Sequence, residues 1–321
     1  MSLRLAPDLV EPMVAGLLGG IDVDGGPTGE QLAVLAALVV HLWDRPDLDL
    51  AAVVPAGPEA TREALGSAAL CRRFHEVHLT LEACRHPQTP AQVARVEDYA
   101  EAMGTPGADL ALFRRFVDDG TERAMADTAR FIDGMLAARV EPPLADLPMD
   151  ATHAEPALAE RLLAFADLEE GSLGRAYLDY YEQTGLAVPG TVPSALNHFF
   201  VGHDMTHVIA GIATTAPGEV ALSAFQLAME DNDLNTSALL ASLICHEAGF
   251  GTAGTFDPED STLAQPGAAE LLASEMARGS DCTADFSLVD HLALAPLPLA
   301  EVRRRFGVRP PADPDDGHHR W

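Results

Sequence analysis

Residues 197–229 read NHFFVGHDMTHVIAGIATTAPGEVALSAFQLAM, two apolar blocks separated by Gly211 and by the pair Pro217-Gly218. Both blocks carry helical rather than alternating patterning, and a chain built from such blocks is all-α. His203 and His207 are four apart, so on a helix their imidazoles leave one face about a turn from each other. That is the spacing with which a helix holds a divalent ion through two neutral nitrogens. Asp204 adds a hard oxygen beside them, as a ligand or as a partner fixing a histidine tautomer. Glu219 follows His207 after eleven intervening residues, past the Pro-Gly turn. A helix running straight to Thr215 would carry Thr214 about 10 Å beyond His207 at roughly 1.5 Å per residue. Ligation by Glu219 therefore requires the helix to stop early, and Gly211 is the residue that tolerates the left-handed stop. Ile212 to Gly218 would then fold back and Glu219 would face the imidazoles from the next helix.

The same rhythm runs outward in both directions. Alanine- and leucine-rich blocks alternate with Pro and Gly, and no segment keeps a period of two. Thr28 and Gln31 form a capping box ahead of the apolar run from Leu32 to Trp43. Apolar residues at 110, 113, 117, 124, 131 and 135 fall on one helical stripe. Four prolines at 142, 143, 148 and 156 lie in a stretch with no strong period, which reads as a linker. Further helices are predicted over 158–165, 173–181, 192–213, 219–230, 236–248, 267–278 and 298–306. This predicts two helical domains, over 1–140 and 158–310, joined by a Pro-rich linker over 141–157. The tail 311–321 is too poor in apolar residues to pack and reads as disordered. Residues 150–310 are expected to fold alone.

Composition narrows the function. Apolar residues make up 48% of the 321, so each half can bury a core. Acidic residues number 49 against 20 basic ones, a net charge of −29. Such a field repels phosphate backbones, which excludes nucleic acid as a partner, and it repels anionic headgroups, so any membrane contact is through apolar surface. The acidity otherwise reflects a saline or acid-tolerant host. Four cysteines, at 71, 84, 245 and 282, form no C-x-x-C pair and read as reduced thiols of a cytoplasmic protein. The first residues lack the basic and apolar regions of a signal peptide, and the longest apolar run, Leu32 to Val40, is too short to span a bilayer.

Three other features resemble sites. Asp22-Val23-Asp24-Gly25 starts like a calcium loop, but Gly26, Pro27 and Ala33 occupy the fifth, sixth and twelfth positions where that loop needs other residues. Cys71, His75, His78 and Glu82 would share a helix face. Strung along three turns, however, they cannot all reach one ion. Cys245-His246-Glu247 lacks the second histidine of a zinc protease at position 250. It reads as polar residues by a Gly-rich turn, or as a positioning or general-base pair.

Taken whole, H-D-x-x-H with Glu219 downstream resembles the metal motif of the coenzyme Q biosynthesis protein 4 family. Other landmarks agree in order. Glu170-Gly171-Ser172-Leu173-Gly174-Arg175-Ala176-Tyr177 with Gly185-Leu186 precedes the motif. Gly218-Glu219-Val220-Ala221 opens the following helix, and Pro298-Leu299 with Val302-Arg303 and Phe306-Gly307-Val308 closes the match, which spans about 158–310. Where the family has Arg and Glu side chains before the His-Asp pair, this chain has His198, Phe199, Phe200, Val201 and Gly202. Asp290-His291 stands where the family is Trp-rich. The first part of the chain, with Asp24-Gly25, Thr28 and Glu30, is similar to tellurite-resistance protein B-like helical domains, which implies a regulatory or adaptor module.

The resemblance implies one divalent metal on His203, Asp204, His207 and Glu219, with zinc placed before iron or manganese. It implies work in the biosynthesis of ubiquinone or a related prenylated quinone, either replacing the C1 carboxylate of a prenylated 4-hydroxybenzoate with a hydroxyl or organising the enzymes that modify the ring. The partners would be a prenylated aromatic or other isoprenoid lipid and other quinone-biosynthesis enzymes, met at the inner membrane face. A prenyl tail asks for an apolar channel; Phe199, Phe200, Val208, Ile209, Ile212, Val220, Leu222, Phe225 and Leu227 are the nearest supply, and ordinary core is the alternative for each. Two other readings stand. His203-Asp204 is also the doublet of His-Asp phosphohydrolases, with His153 or His198 and Asp231 or Asp233 completing the set. The metal could instead only pin helices in a non-catalytic lipid-binding scaffold.

Overall fold

The computed structural model describes residues 3–105, 134, 137–144, 152–249 and 260–321. Among them the chain is all-α, with isolated bridges and no strand. The apolar stripe over 110–135 lies outside the described residues. The helices are α1 (Pro7–Ile21), α2 (Gly29–Ala37, continued by a π-helical turn over Leu38–Leu42), α3 (Pro58–Leu65), α4 (Ala68–Ala83), α5 (Pro90–Met103), α6 (Pro156–Leu163), α7 (Leu173–Thr184), α8 (Asn197–Ala210), α9 (Ala216–Met229), α10 (Asp233–His246), α11 (Ala268–Ser280), α12 (His291–Leu294) and α13 (Leu299–Phe306).

Local chemistry sets most of these boundaries. The capping box is present: Thr28 accepts from the Gln31 amide while the Gln31 side chain accepts from the Thr28 amide. Ser67, Thr89, Ser172 and Asn232 cap α4, α5, α7 and α10 in the same sense. Gly104, Gly185, Gly211 and Gly307 stop α5, α7, α8 and α13 in the left-handed conformation.

The chain forms two compact units, and their division is not the sequential one that the prolines suggest. The first comprises Met1–Ile132 and Glu219–Ser280, the second Asp133–Gly218 and Asp281–Trp321. In the first, α1 packs on α3, α4 and α5, while α10 lies against α4 and α11 against α2 and its π-helical turn. Val220, Leu227, Leu240, Leu243, Ile244, Leu272 and Met276 share one apolar core with Met13, Leu17, Leu35, Phe74 and Tyr99. Helices α9, α10 and α11 thus bury apolar side chains in the same core as the N-terminal helices. The turn at Asp22–Gly26 holds a guanidinium: Arg85 donates to the carbonyls of Ile21, Val23 and Gly26.

In the second unit α8 is bordered by α7, α12 and α13. The expected linker is packed at both ends. Glu141 is buried and accepts from His291 Nδ1 at 3.0 Å and from the Leu292 amide at 3.2 Å. Glu155 receives Asn197 Nδ2 at 3.1 Å and pairs with His198 Nε2. The tail is also placed, against the expectation of disorder. The Ala213 amide donates to the His318 carbonyl at 2.8 Å and the Arg320 amide to the Gly211 carbonyl at 2.9 Å. Trp321 lies under the Arg303 guanidinium at 3.7 Å. Backbone groups left open after Gly211 hold the tail together with this ring contact.

Candidate metal centre

The centre is built on the corner from α8 to the first turn of α9. The division between the two units falls at the Gly218–Glu219 bond, inside that turn, so the corner is one continuous piece of chain. Gly211, at φ +71°, ends α8, and the amides of Gly211 and Ile212 both donate to the His207 carbonyl, at 2.7 and 3.2 Å. The next helix opens at Ala216, three residues before Glu219. Pro217 sits in its first turn, where a missing N–H costs nothing.

This folding back gathers three of the four residues singled out from the sequence. His203, His207 and Glu219 each offer a donor atom, and these atoms lie within 4.8 Å of one another. The two imidazoles meet edge to face with centroids 4.9 Å apart, and His203 stacks on Phe199 at 4.8 Å. His207 is buried, and its Nδ1 faces the Ile212 carbonyl oxygen at 3.0 Å. A proton on Nδ1 satisfies that carbonyl and leaves Nε2 as the basic nitrogen, the tautomer a metal requires. Asp204 is not part of the trio. It is buried, and its carboxylate accepts a hydrogen bond from the Tyr181 hydroxyl. Burial and the neighbouring Tyr177 and Asp204 push the Tyr181 phenol far up, so it stays a donor.

A cavity of about 490 Å³ opens beside His207 in the second unit. Val208, Ile212, Leu299 and Trp321 give it apolar wall, and Asp179, Gln183, Arg303, His319 and Arg320 give it polar wall. Arg303 donates to the Ile209 and Val208 carbonyls at 3.1 and 3.0 Å, neutralising the C-terminal end of the histidine helix. Most of the residues offered for a channel are core instead: Phe199, Ile209, Val220, Leu222, Phe225 and Leu227 are buried. Val208 and Ile212 are the two that line the cavity.

Residues proposed for a phosphohydrolase set are engaged elsewhere. The His198 ring pairs with Glu155, and His153 is exposed beside the Thr152 hydroxyl. Asp231 and Asp233 take the Arg72 guanidinium at 2.7 and 3.0 Å. Cys71, His75, His78 and Glu82 are all buried on α4 and form no donor group among the described residues. Sequence reading missed the roles of Tyr181, which holds Asp204, and of the tail, which closes one wall of the cavity. The first sits in the Gly-Leu landmark region without a ligand signature, and the second is composed like a solvated segment.

No described helix is long and apolar enough to cross a membrane. No protein-family model matches the chain, and no curated protein matches it. Among solved structures the chain is similar to that of a candidate ubiquinone biosynthesis protein from Nostoc punctiforme PCC 73102, at 19% identity and a TM-score of 0.33, covering 74% of this chain and 97% of that one.

Proposed function

We propose that this chain is a metal-dependent protein of prenylated-quinone biosynthesis that binds a divalent cation on His203, His207 and Glu219 and acts on the aromatic head of a prenylated 4-hydroxybenzoate. The observation that carries the reading is the convergence of the three donors at a corner beside a cavity, with the sequence landmarks of 158–310 in support. The donor set fits a metal: two imidazoles and a carboxylate leave coordination open, as catalytic sites do. A bound cation supplies Lewis acidity toward a carboxylate or phenolate oxygen.

The chain's own groups do the rest. The Ile212 carbonyl fixes the His207 tautomer, and Tyr181 holds the buried Asp204 carboxylate. The 490 Å³ cavity is of a size for a substituted benzoate. Its basic members, Arg303 and Arg320, would supply the positive charge for an acidic head, since the turn of α8 before His203 has no arginine. The net reaction breaks the bond from C1 to the carboxylate with loss of carbon dioxide and makes a C1–hydroxyl bond, and the two electrons released are taken by dioxygen as co-substrate: ArCO2H + H2O + O2 → ArOH + CO2 + H2O2.

The test is a strain lacking the protein, analysed for prenylated phenols and complemented with wild type or with the His203→Ala/His207→Ala variant. A carboxylated prenyl-phenol should accumulate and be cleared by wild type alone. Unchanged quinone levels in the deletion strain would overturn the reading. The purified wild type should carry about one divalent ion at this corner, lost in the double variant, and cysteine modification should leave it in place.

A further inference from the structure

The first unit holds a second trio of donors that the proposed function does not use. Glu30 stands in the first turn of α2, His86 just past the end of α4, and Glu247 at the end of α10. One donor atom from each lies within 4.8 Å of the others. His86 Nε2 is 2.6 Å from Glu247 Oε1 and 3.9 Å from Glu30 Oε2. Tetrahedral donors with bonds of about 2.0–2.2 Å sit roughly 3.4 Å apart, a spacing the two observed distances bracket.

The surroundings favour a cation. Glu247 is fully buried, and its other oxygen accepts from the Leu263 amide at 2.7 Å, which fixes the carboxylate's direction. Glu30 Oε1 is buried and makes no short hydrogen bond; the groups that bear on this carboxyl are Glu247, His86 and the Ala264 backbone. Two carboxylates gathered inside a protein are held either by positive charge close by or by a proton shared between them; burial and Glu247 push Glu30 up to about 8, and a bound cation would take that proton's place. The adjacent guanidinium of Arg85 is committed to the Asp22–Gly26 turn. Cys84, two residues before His86, turns its thiol to the Thr80 carbonyl, so the donor set is one imidazole and two carboxylates.

We propose that Glu30, His86 and Glu247 form a second divalent-cation site, a structural one that ties the start of α2, the α4–α5 connection and the end of α10 together. It joins the two chain segments of the first unit, one before residue 132 and one after 219. The site takes a cation that accepts mixed nitrogen and oxygen ligands, such as manganese(II) or zinc(II). It is independent of the quinone reading.

Manganese(II) is the probe, added to the chelator-stripped full chain. The His203→Ala/His207→Ala variant keeps all three residues of this trio. It should still bind about one manganese per chain, and its thermal midpoint should rise when the ion is added. Introducing Glu30→Gln into that variant should weaken uptake at least about tenfold, no less than the loss expected on removing an outer partner of a metal ligand. Electron paramagnetic resonance of the manganese-loaded double variant should show coupling to a single imidazole nitrogen, a readout that needs no further substitution. No uptake by the double variant up to millimolar manganese would overturn the site. So would unchanged uptake after Glu30→Gln, or a spectrum without nitrogen coupling. Loss of the first site alone shows as one ion missing from the double variant with the second retained.

Discussion

A Cβ placed on Gly218 would lie 2.0 Å from the Ala213 carbonyl oxygen, a backbone atom with no freedom to swing away. Gly218 is what lets the chain close on itself between the left-handed stop at Gly211 and the turn that presents Glu219. Gly218→Ala should therefore cost about 1–3 kcal/mol, the usual range for forced overpacking. It should also weaken the ion held by His203, His207 and Glu219, because the carboxylate must move with the corner. Gly211→Ala should cost about 1–2 kcal/mol through its positive φ, since α8 and its two histidines precede the strained residue. Denaturant unfolding gives the first quantity and metal titration the second. Full metal affinity in Gly218→Ala would show that Glu219 is not held by this closure.

At the scale of the element, α4 shows what a ligand-like pattern becomes when no ion is in reach. Its face of Cys71, His75, His78 and Glu82 is buried, and each titratable member is driven to its neutral form. Burial pulls His75 down to about 4 and His78 down to about 3 from 6.5, and pushes Glu82 up to about 8 from 4.5. The signs are opposite. Between 3 and 6.5 the unfolded His78 binds a proton that the folded ring refuses, so stability rises with pH. Between 4.5 and 8 the folded Glu82 keeps a proton that the unfolded chain releases, so stability falls with pH. The two slopes oppose each other from 4.5 to 6.5, His75 adding to the first and Glu76 to the second. Stability should thus decline from pH 6.5 to 8, and Glu82→Gln should make that decline shallower without abolishing it, because Glu76 and Glu30 are also pushed up to about 8, while the acid limb stays intact. Chemical unfolding across pH tests this; an unaltered alkaline limb in Glu82→Gln would assign it to other groups. The spacing of four, three and four was readable in sequence, but burial was not, because burial depends on what α1, α2, α5 and α10 place around α4.

Across the whole molecule, what could be read in advance is what a short window encodes. The helical class, the Thr28–Gln31 box and the stop at Gly211 with its return toward Glu219 each depend on neighbours within a few residues. The pairing of segments does not. Prolines at 142, 143, 148 and 156 suggested a boundary, yet the stretch from Glu219 to Ser280 joins the unit of the N-terminal helices. An amphipathic helix announces that it has an apolar face, and the identity of its cover is set by shape and packing at long range. For the same reason Glu30, His86 and Glu247 carried no common signature. A fragment of residues 150–310 makes the consequence measurable. It would retain α6 to α13 but leave Val220, Leu227, Leu240, Leu243, Ile244 and Leu272 without the faces of α1, α2 and α4 that complete their core. Exposing buried aliphatic side chains of this kind costs about 1.5–3 kcal/mol each, against a total stability of about 5–15 kcal/mol for an ordinary domain. The fragment should aggregate or bind a hydrophobic dye strongly and melt without cooperativity, whereas the full chain should do neither. Co-expression with residues 1–140 should restore a soluble complex, since the missing faces are then supplied in trans. A monomeric 150–310 fragment that unfolds cooperatively and leaves the dye dark would return the boundary to the proline-rich stretch.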